Sequence, residues 1–387
     1  MRILATSVLT AIAFAFSHSA SAEAPQRGRE IGIPFDGTTG PLNAITDVQG
    51  VTVGFATIVE DLPDNRAART GVTAVLPLGK ASSEHPVFAG WFALNGNGEM
   101  TGTTWIEESG FLEGPVMITN THSVGTVHQA TIAWRVAQGG ADETGYWWSL
   151  PVIAETWDGH LSDINGFHVK PEHVLAALES ATGGPVAEGN VGGGTGMICH
   201  EFKCGTGTSS RIAKTSAGAY TVGVLVQANY GLRDTLRIAG VPVGQHLVED
   251  RAYASLPQPA EESGSIIVVA ATDAPLLPHQ LKRIAKRASL GIARMGGMAG
   301  NGSGDIFVAF STAKAEAGES EAVTTARMLA NDAISPLFDA TALATEEAIV
   351  NAMIAARDME GDLGHVVKAI DHDELRRVLR QYNRLGD

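Results

Sequence analysis

Residues 261–275 read EESGSIIVVAATDAP, in which one serine, Ser265, stands in front of six apolar residues. An apolar run of this length, bounded by turn formers, reads as a buried strand. The loose acidic stretch VEDRAYASLPQPAEESG precedes it, so a polar loop becomes core across the Gly264–Ser265 bond. Other strands are expected in LPVIAETWDG (150–159), YTVGVLVQANYG (220–231) and GDIFVAFSTA (304–313). From about 45 to 140, short apolar stretches alternate with Gly- and Asn-rich turns. Helical spacing marks VGTVHQATIAWRVAQG (124–139), which ends on glycine, and KPEHVLAALESATGG (170–184), which has proline near its start. In LLPHQLKRIAKRASLGIARM (276–295), Leu277, Leu281, Ile284, Ala288 and Ile292 form an apolar stripe. The segment 231–262 reads as a surface linker, and the chain beyond about 318 as mostly helical. Strands and helices mix without βα regularity, which predicts an α+β fold of layered sheets.

The N-terminus has a different character. Arg2 is followed by an apolar run from Ile3 to Phe16 and by small residues ending Ala20-Ser21-Ala22. This is the pattern of a secretory signal peptide over 1–22, too short to span a membrane, and it predicts an exported chain starting near Glu23. A formal charge of −15 without any Lys/Arg run argues against nucleic-acid and anionic-membrane partners. Cys199 and Cys204 lie in CHEFKC. Export leaves a local disulfide and a pair of reduced thiols both open, while a zinc site lacks a second ligand pair.

The glycine cluster GNVGGGTG (189–196) lacks the Lys-Ser/Thr ending of a phosphate loop and reads instead as a tight loop or backbone nest beside a site. His122, His128, His168, His200 and His279 are scattered and define no triad. Ser265 is either an ordinary strand-start residue or a nucleophile. Cutting the bond after Gly264 gives Ser265 an α-amine of pKa about 7.7–8.0, a base within reach of its own hydroxyl. Ser303 and Asp305 in GNGSGDIF are two residues apart before a strand, which places both on one face. They form either a catalytic pair or a glycine-rich turn. Asn229 ends a buried strand, as an oxyanion donor or as a turn former. Glu155 and Asp158 end another strand, where a carboxylate holds a substrate ammonium or simply meets solvent.

Long strings resemble the family that contains L-aminopeptidase/D-Ala-esterase/amidase and the β-peptidyl aminopeptidases. They include GIPFDGTTGPLNAITDV, LNGNGEMTG, TNTHSVG, PVIAETWDG, GGGTGM, GTSSR, GSIIVVAATDAPLLPHQLKR and GNGSGDIFVAFST, and they span most of the mature chain. The resemblance implies a four-layer αββα sandwich of N-terminal-nucleophile type, with the connectivity shared by ornithine acetyltransferases. It implies one catalytic domain made as a precursor that cleaves itself into an α chain (23–264) and a β chain (265–387). The two chains stay associated, and members tend to be homotetramers. Carried over residue by residue, Gly264–Ser265 is the cleavage site, Ser265 the nucleophile, and Ser303 and Asp305 its polar partners. Asn229 matches the oxyanion-hole asparagine, and Glu155 the acid that binds the substrate's free amino group. Relatives often have tyrosine where this chain has Trp157; an indole N–H donates but cannot exchange a proton as a phenol does, so that position keeps only a pocket-shaping role.

The expected function is an exported, self-processing serine aminopeptidase. It acts on peptides, amides or esters with a free amino group and requires no metal or organic cofactor. An acyltransferase of the same fold fits poorly with export, and a periplasmic amino-acid- or peptide-binding protein would remain an intact chain. The choice between α- and β-amino or L- and D-substrates lies around Trp105, Trp157 and the GNGEM loop, and the sequence does not make it.

Overall fold

A computed structural model describes residues 26–139, 148–254, 262–313 and 325–385; the expected signal peptide lies outside them. The first half supplies β1 (Thr52–Leu62), β2 (Arg66–Lys80), β3 (Val87–Ala93), helix α1 (Thr103–Ser109), β4 (Phe111–Leu112), β5 (Val116–Asn120), α2 (Val124–Gln138), β6 (Val152–Thr156) and α3 (Pro171–Glu179). A short hairpin follows, β7 (Ile198–Cys199) with β8 (Phe202–Lys203), and then β9 (Thr206–Thr215) and β10 (Gly218–Asn229). Beyond these come β11 (Ser263–Thr272), α4 (Pro278–Arg294), β12 (Gly302–Ser311), α5 (Ser335–Ile354), a small pair β13 (Met359–Glu360) and β14 (Val366–Val367), and α6 (His372–Gln381).

Two sheets organise the chain. One has the order β1-β2-β5-β6 and the other β4-β3-β12-β11-β10-β9. Leu225, Ile267, Val269, Ile306 and Val308 of the six-stranded sheet pack against Val75, Ile118 and Ala154 of the four-stranded one. The intervening residues Val226, Ile266, Val268 and Phe307 point the other way, onto Leu281, Ile284 and Ala288 of α4 and Ile349 of α5. Across the four-stranded sheet, Ala74 and Met117 meet Val127 of α2 and Val174 of α3. The layers therefore run α–β–β–α, as the resemblance implied. Strands buried on both faces explain why their sequences are continuously apolar. The α4 stripe is buried as its spacing predicts, apart from half-buried Leu277, which precedes the first turn.

Three expectations change. β11 begins at Ser263, so Ser265 lies inside the ladder instead of at its threshold. The 231–262 segment is partly core: Arg233, Leu236, Ile238 and Val243 are buried. Its carbonyls explain why, because the Arg233 guanidinium donates to the backbone oxygens of His200, Glu201, Leu247 and Glu249 and lies 3.3 Å from the centroid of the Phe202 ring. Burying such a loop requires an internal donor for each carbonyl, and one guanidinium supplies several. The glycine cluster does form a tight turn, yet its glycines serve packing between the sheets. A Cβ at Gly193 would overlap the Gln227 amide and stand 2.8 Å from the Ile118 carbonyl.

Candidate active site

Ser265 pairs with Asn229 across the antiparallel β10–β11 ladder and with Gly304 across the parallel β11–β12 ladder. Alternation from Ile267 and Leu225 places both the serine and the asparagine on the inter-sheet face. Ser265 is buried, and its Oγ donates to the carbonyl oxygen of Gly264 at 2.7 Å. Its hydroxyl therefore lies against the peptide group that precedes it. Gly264 has φ +135°, and a Cβ there would overlap the Asn229 carbonyl, so the position needs glycine on both counts.

The amide of Asn229 is oriented from behind. Its Oδ1 accepts the Ile198 N–H at 2.9 Å, which leaves Nδ2 as the free, donating end. Ile198 belongs to the β7–β8 hairpin, and Cys199 and Cys204 close that hairpin as a disulfide. The bridge removes both cysteines from any metal reading. Buried Lys203 bonds the carbonyls of Met197 (2.9 Å) and Cys204 (2.6 Å), and burial pulls its amine down to about 7.

Ser303 and Asp305 share a face, as their spacing predicts, with Ser303 Oγ donating to Asp305 Oδ1 at 2.8 Å. That face is the helix-layer side, shared with Phe307 and Ala309, and not the side on which Ser265 lies. Burial lifts the Asp305 carboxyl to about 6; the Ser303 hydroxyl and the Ile266 amide oppose the shift, and Glu262 adds to it. The Asp305 amide donates to Asn95 Oδ1 at 2.6 Å, and Asn97 Nδ2 donates to the Gly302 carbonyl at 2.9 Å. The NGNGEM loop thus holds this strand start in place.

Glu155 is the penultimate residue of β6, beside Thr119 in the parallel β5–β6 ladder. Its carboxylate is buried and accepts Thr121 Oγ1 at 2.5 Å and the Glu99 amide at 3.0 Å. Burial raises its pKa, while those two hydrogen bonds hold the shift back. Asp158 is separate from this arrangement. It is fully enclosed behind the cleft, accepts Asn120 Nδ2 at 3.0 Å, and burial lifts it to about 7. It is neither an ammonium site nor a solvated turn acid.

A cleft of about 730 Å³ brings Ser265, Gly264, Asn229 and Glu155 together. One wall consists of half-exposed Trp157 with His160 and Tyr253. His160 stacks on His365 at 4.4 Å and meets Tyr253 edge-on at 5.0 Å, and burial beside His365 lowers its pKa to about 4. None of the five histidines noted in the sequence lines this cleft, whereas His160, which the sequence reading passed over, does. Ser303, Asp305 and Trp105 are not on its walls. Thr121 and the Glu99 amide were also missed: TNTHS and GNGEM stand out as strings, but nothing in them says that both reach Glu155.

The arrangement combines a serine hydroxyl, an amide donor and a buried carboxylate in one cleft, a set of groups that suits acyl transfer to serine from a substrate carrying a cation. Comparison with known proteins points the same way. The chain is 52% identical over 384 residues to β-peptidyl aminopeptidase BapA of Sphingosinicella microcystinivorans, covering 95% of each chain. It superposes with a TM-score of 0.87 and 51% identity on the L-aminopeptidase D-Ala-esterase/amidase of Ochrobactrum anthropi, a prototype serine aminopeptidase with a variant of the Ntn-hydrolase fold. That match covers 93% of this chain and 99% of the other. A Burkholderia sp. β-aminopeptidase matches with a TM-score of 0.83 and 48% identity, over 92% of this chain and 99% of its own. The sequence model of peptidase family S58 matches residues 43–367, so the chain belongs to peptidase family S58, with the Ntn-hydrolase fold of its aminopeptidase relatives.

Proposed function

We propose that the protein is an exported serine aminopeptidase that creates its own nucleophile by cleaving the Gly264–Ser265 bond. The observation that carries this reading is the Ser265 hydroxyl, 2.7 Å from the Gly264 carbonyl oxygen in a cleft shared with Asn229 and Glu155. In maturation, Ser265 Oγ adds to the Gly264 carbonyl carbon, the C–N bond breaks, and the acyl group moves from nitrogen to oxygen. Water then hydrolyses the ester, leaving a Gly264 carboxylate and a Ser265 that bears both a free hydroxyl and an α-amine. Strands from both sides of the bond interleave in one sheet, with β11 and β12 lying between β10 and β3, so the two chains would stay associated.

In turnover, the α-amine takes the hydroxyl proton as Ser265 attacks the substrate carbonyl. Asn229 Nδ2 donates to the oxyanion, and Glu155 anchors the substrate's ammonium. The departing amine takes the proton, and water releases the acyl group. Substrates are peptides, amides or esters with a free amino terminus, and the named relatives make β-amino as well as α-amino acyl groups candidates. The Cys199–Cys204 disulfide suits an oxidising compartment and supports export, as does the 1–22 leader.

The decisive test is gel analysis and N-terminal sequencing of the purified protein, followed by an assay with β-alanyl, L-alanyl and D-alanyl amides. Two chains, the smaller beginning Ser-Ile-Ile-Val, with hydrolysis of at least one amide, are expected. An intact chain that binds but does not hydrolyse these amides would mean a binding protein instead. Homotetramer assembly is proposed by analogy, and light scattering tests it.

A further inference from the structure

Two loops leave the C-terminal ends of the parallel strands β5 and β6, and they supply Thr121, Trp157 and His160 to the cleft that holds Glu155. A buried hydrogen bond joins these loops. Asn120, the last residue of β5, donates from Nδ2 to Asp158 Oδ2 at 3.0 Å. The same Nδ2 donates to Thr70 Oγ1 of β2 at 3.0 Å, and Asn120 Oδ1 accepts the Ser123 N–H at 2.9 Å. Asn120 therefore caps the turn Thr121–Ser123 and fixes it to an inner strand of its sheet. Asp158 ties down the second loop through its backbone. Its carbonyl accepts the N–H groups of Leu161 and Ser162, each at 3.0 Å, and Ser162 Oγ accepts the Arg69 N–H of β2 at 3.0 Å. The turn that carries His160 is thus anchored to the same strand.

Thr121 opens the capped turn, and its Oγ1 donates to Glu155 Oε2 at 2.5 Å, while the Glu99 N–H holds Oε1 at 3.0 Å. With both oxygens held, the carboxylate has little orientational freedom left to lose when a ligand binds. We propose that Asn120 is a positioning residue for the substrate's amino group: clipped to Asp158, it aims the Thr121 hydroxyl at Glu155 and so presets the carboxylate that receives the ammonium. The inference rests on the reading of Glu155 as the ammonium anchor. Asn120 and Asp158 are not on the cleft walls, so they act through Thr121 and not on substrate. When the clip is lost, the turn shifts, the hydroxyl leaves Glu155 and the carboxylate is free to rotate. The ammonium then binds more weakly. Ser265 and Asn229 stand on the other sheet, so the chemical step is spared.

The groups facing Glu155 are the Thr121 hydroxyl, the amide and carboxylate of Glu99, and His122; those facing Asp158 are Thr70, Asn120 and Glu155 itself. The Thr121 hydrogen bond favours the ionised form of Glu155. Its loss raises the Glu155 pKa, so the form that binds an ammonium disappears at a higher pH. The acid limb of kcat/KM therefore moves up when the clip is broken.

The experiment is steady-state kinetics of the full-length protein on the alanyl amide it hydrolyses fastest, across the acid limb, with thermal unfolding to show that each variant folds. Asn120→Ser keeps a cap for the Ser123 N–H but is too short to reach Asp158. It is expected to raise KM about tenfold, to leave kcat within about twofold, and to move the acid limb of kcat/KM up by about one unit. Thr121→Val should produce the same changes, and combining the two should add little. Asp158→Ala should behave as Asn120→Ser does, whereas Asp158→Asn, whose Oδ1 still accepts the Asn120 amide, should recover most of the loss. If Asn120→Ser does not fold, the two variants at 158 decide. The proposal falls if Asn120→Ser or Thr121→Val leaves KM and the limb at wild-type values, or if their effects multiply in full. It falls equally if Asp158→Asn is as impaired as Asp158→Ala, because packing would then explain both. If Glu155→Gln leaves KM unchanged, the anchor reading itself fails; if Glu155→Gln raises KM and Asn120→Ser does not, only this inference does.

Discussion

Asn229 and Ser265 are directly opposed residues of one antiparallel ladder, with both side chains on the inter-sheet face. The fold therefore sets the separation of the proposed nucleophile and the proposed oxyanion donor by strand pairing, which is stiffer than a loop contact. The Ile198 N–H fixes which end of the amide points inward. Asn229→Ala is expected to lower kcat by about 10²–10³, the usual loss for one oxyanion donor, with KM nearly unchanged. Asn229→Asp should be at least as impaired, because its carboxylate accepts the Ile198 N–H but offers the oxyanion no donor. Steady-state kinetics on an alanyl amide check both.

Glu155 should reveal itself through substrate charge. Glu155→Gln keeps an acceptor for the Glu99 amide and can donate its Nε2–H to the Thr121 hydroxyl, but it loses the charge that would hold an ammonium. A hydrogen bond to a charged group contributes about 1.5–3 kcal/mol, so KM should rise about tenfold to a hundredfold, with a smaller change in kcat. Burial raises the Glu155 pKa, and substrate binding needs the ionised form. The acid limb of kcat/KM should therefore lie above the ordinary carboxylate range and vanish in the variant. An N-acetylated substrate, which has no ammonium, should be a poor substrate for both proteins.

Local pattern and long-range register account for what the sequence disclosed and what it hid. The shared face of Ser303 and Asp305 follows from two-residue alternation and holds in the structure. That this face is turned away from Ser265 does not follow, because it depends on the parallel pairing of β11 with β12 across an intervening helix. The sequence offered Glu155 and Asp158 alike as strand-end carboxylates, and only the resemblance preferred Glu155, whose partners Thr121 and Glu99 come from a neighbouring strand end and a distant loop. Arg233 sits in a proline- and acid-containing segment that composition assigns to the surface. Only the fold discloses that its guanidinium gathers buried carbonyls.

Stability should depend on a buried ion pair far from the cleft. Glu347 of α5 accepts Arg211 at 2.5 Å and Arg29 through two bonds of 2.8 Å, with Asn43 at 2.6 Å, tying helix, sheet and N-terminal arm together. Glu347→Ala leaves the Arg211 charge enclosed without its partner, and breaking such a pair costs about 3–5 kcal/mol. These partners hold the Glu347 pKa below its ordinary value. A depressed carboxylate pKa stabilises the fold above the unfolded value, and that contribution is lost as pH falls through the folded one. Urea unfolding should therefore show the wild-type advantage at pH 7 shrinking below about pH 4.

The disulfide should matter to turnover as well as to stability. Cys199 follows Ile198, whose amide holds Asn229, and the Cys204 carbonyl accepts the Lys203 amine that also bonds Met197. Opening the Cys199–Cys204 bridge frees a loop of only a few residues, so about 2 kcal/mol of stability is at stake. The functional effect is more specific, because a looser Ile198 amide lets the Asn229 side chain rotate and lose its aim at the oxyanion. Cys199→Ser/Cys204→Ser, or the wild type reduced with phosphine, should show a kcat several-fold lower with KM unchanged. In the Asn229→Ala background the double serine substitution should have no further effect on kcat. A full additional loss there would mean that the bridge acts on the site by some route other than the asparagine.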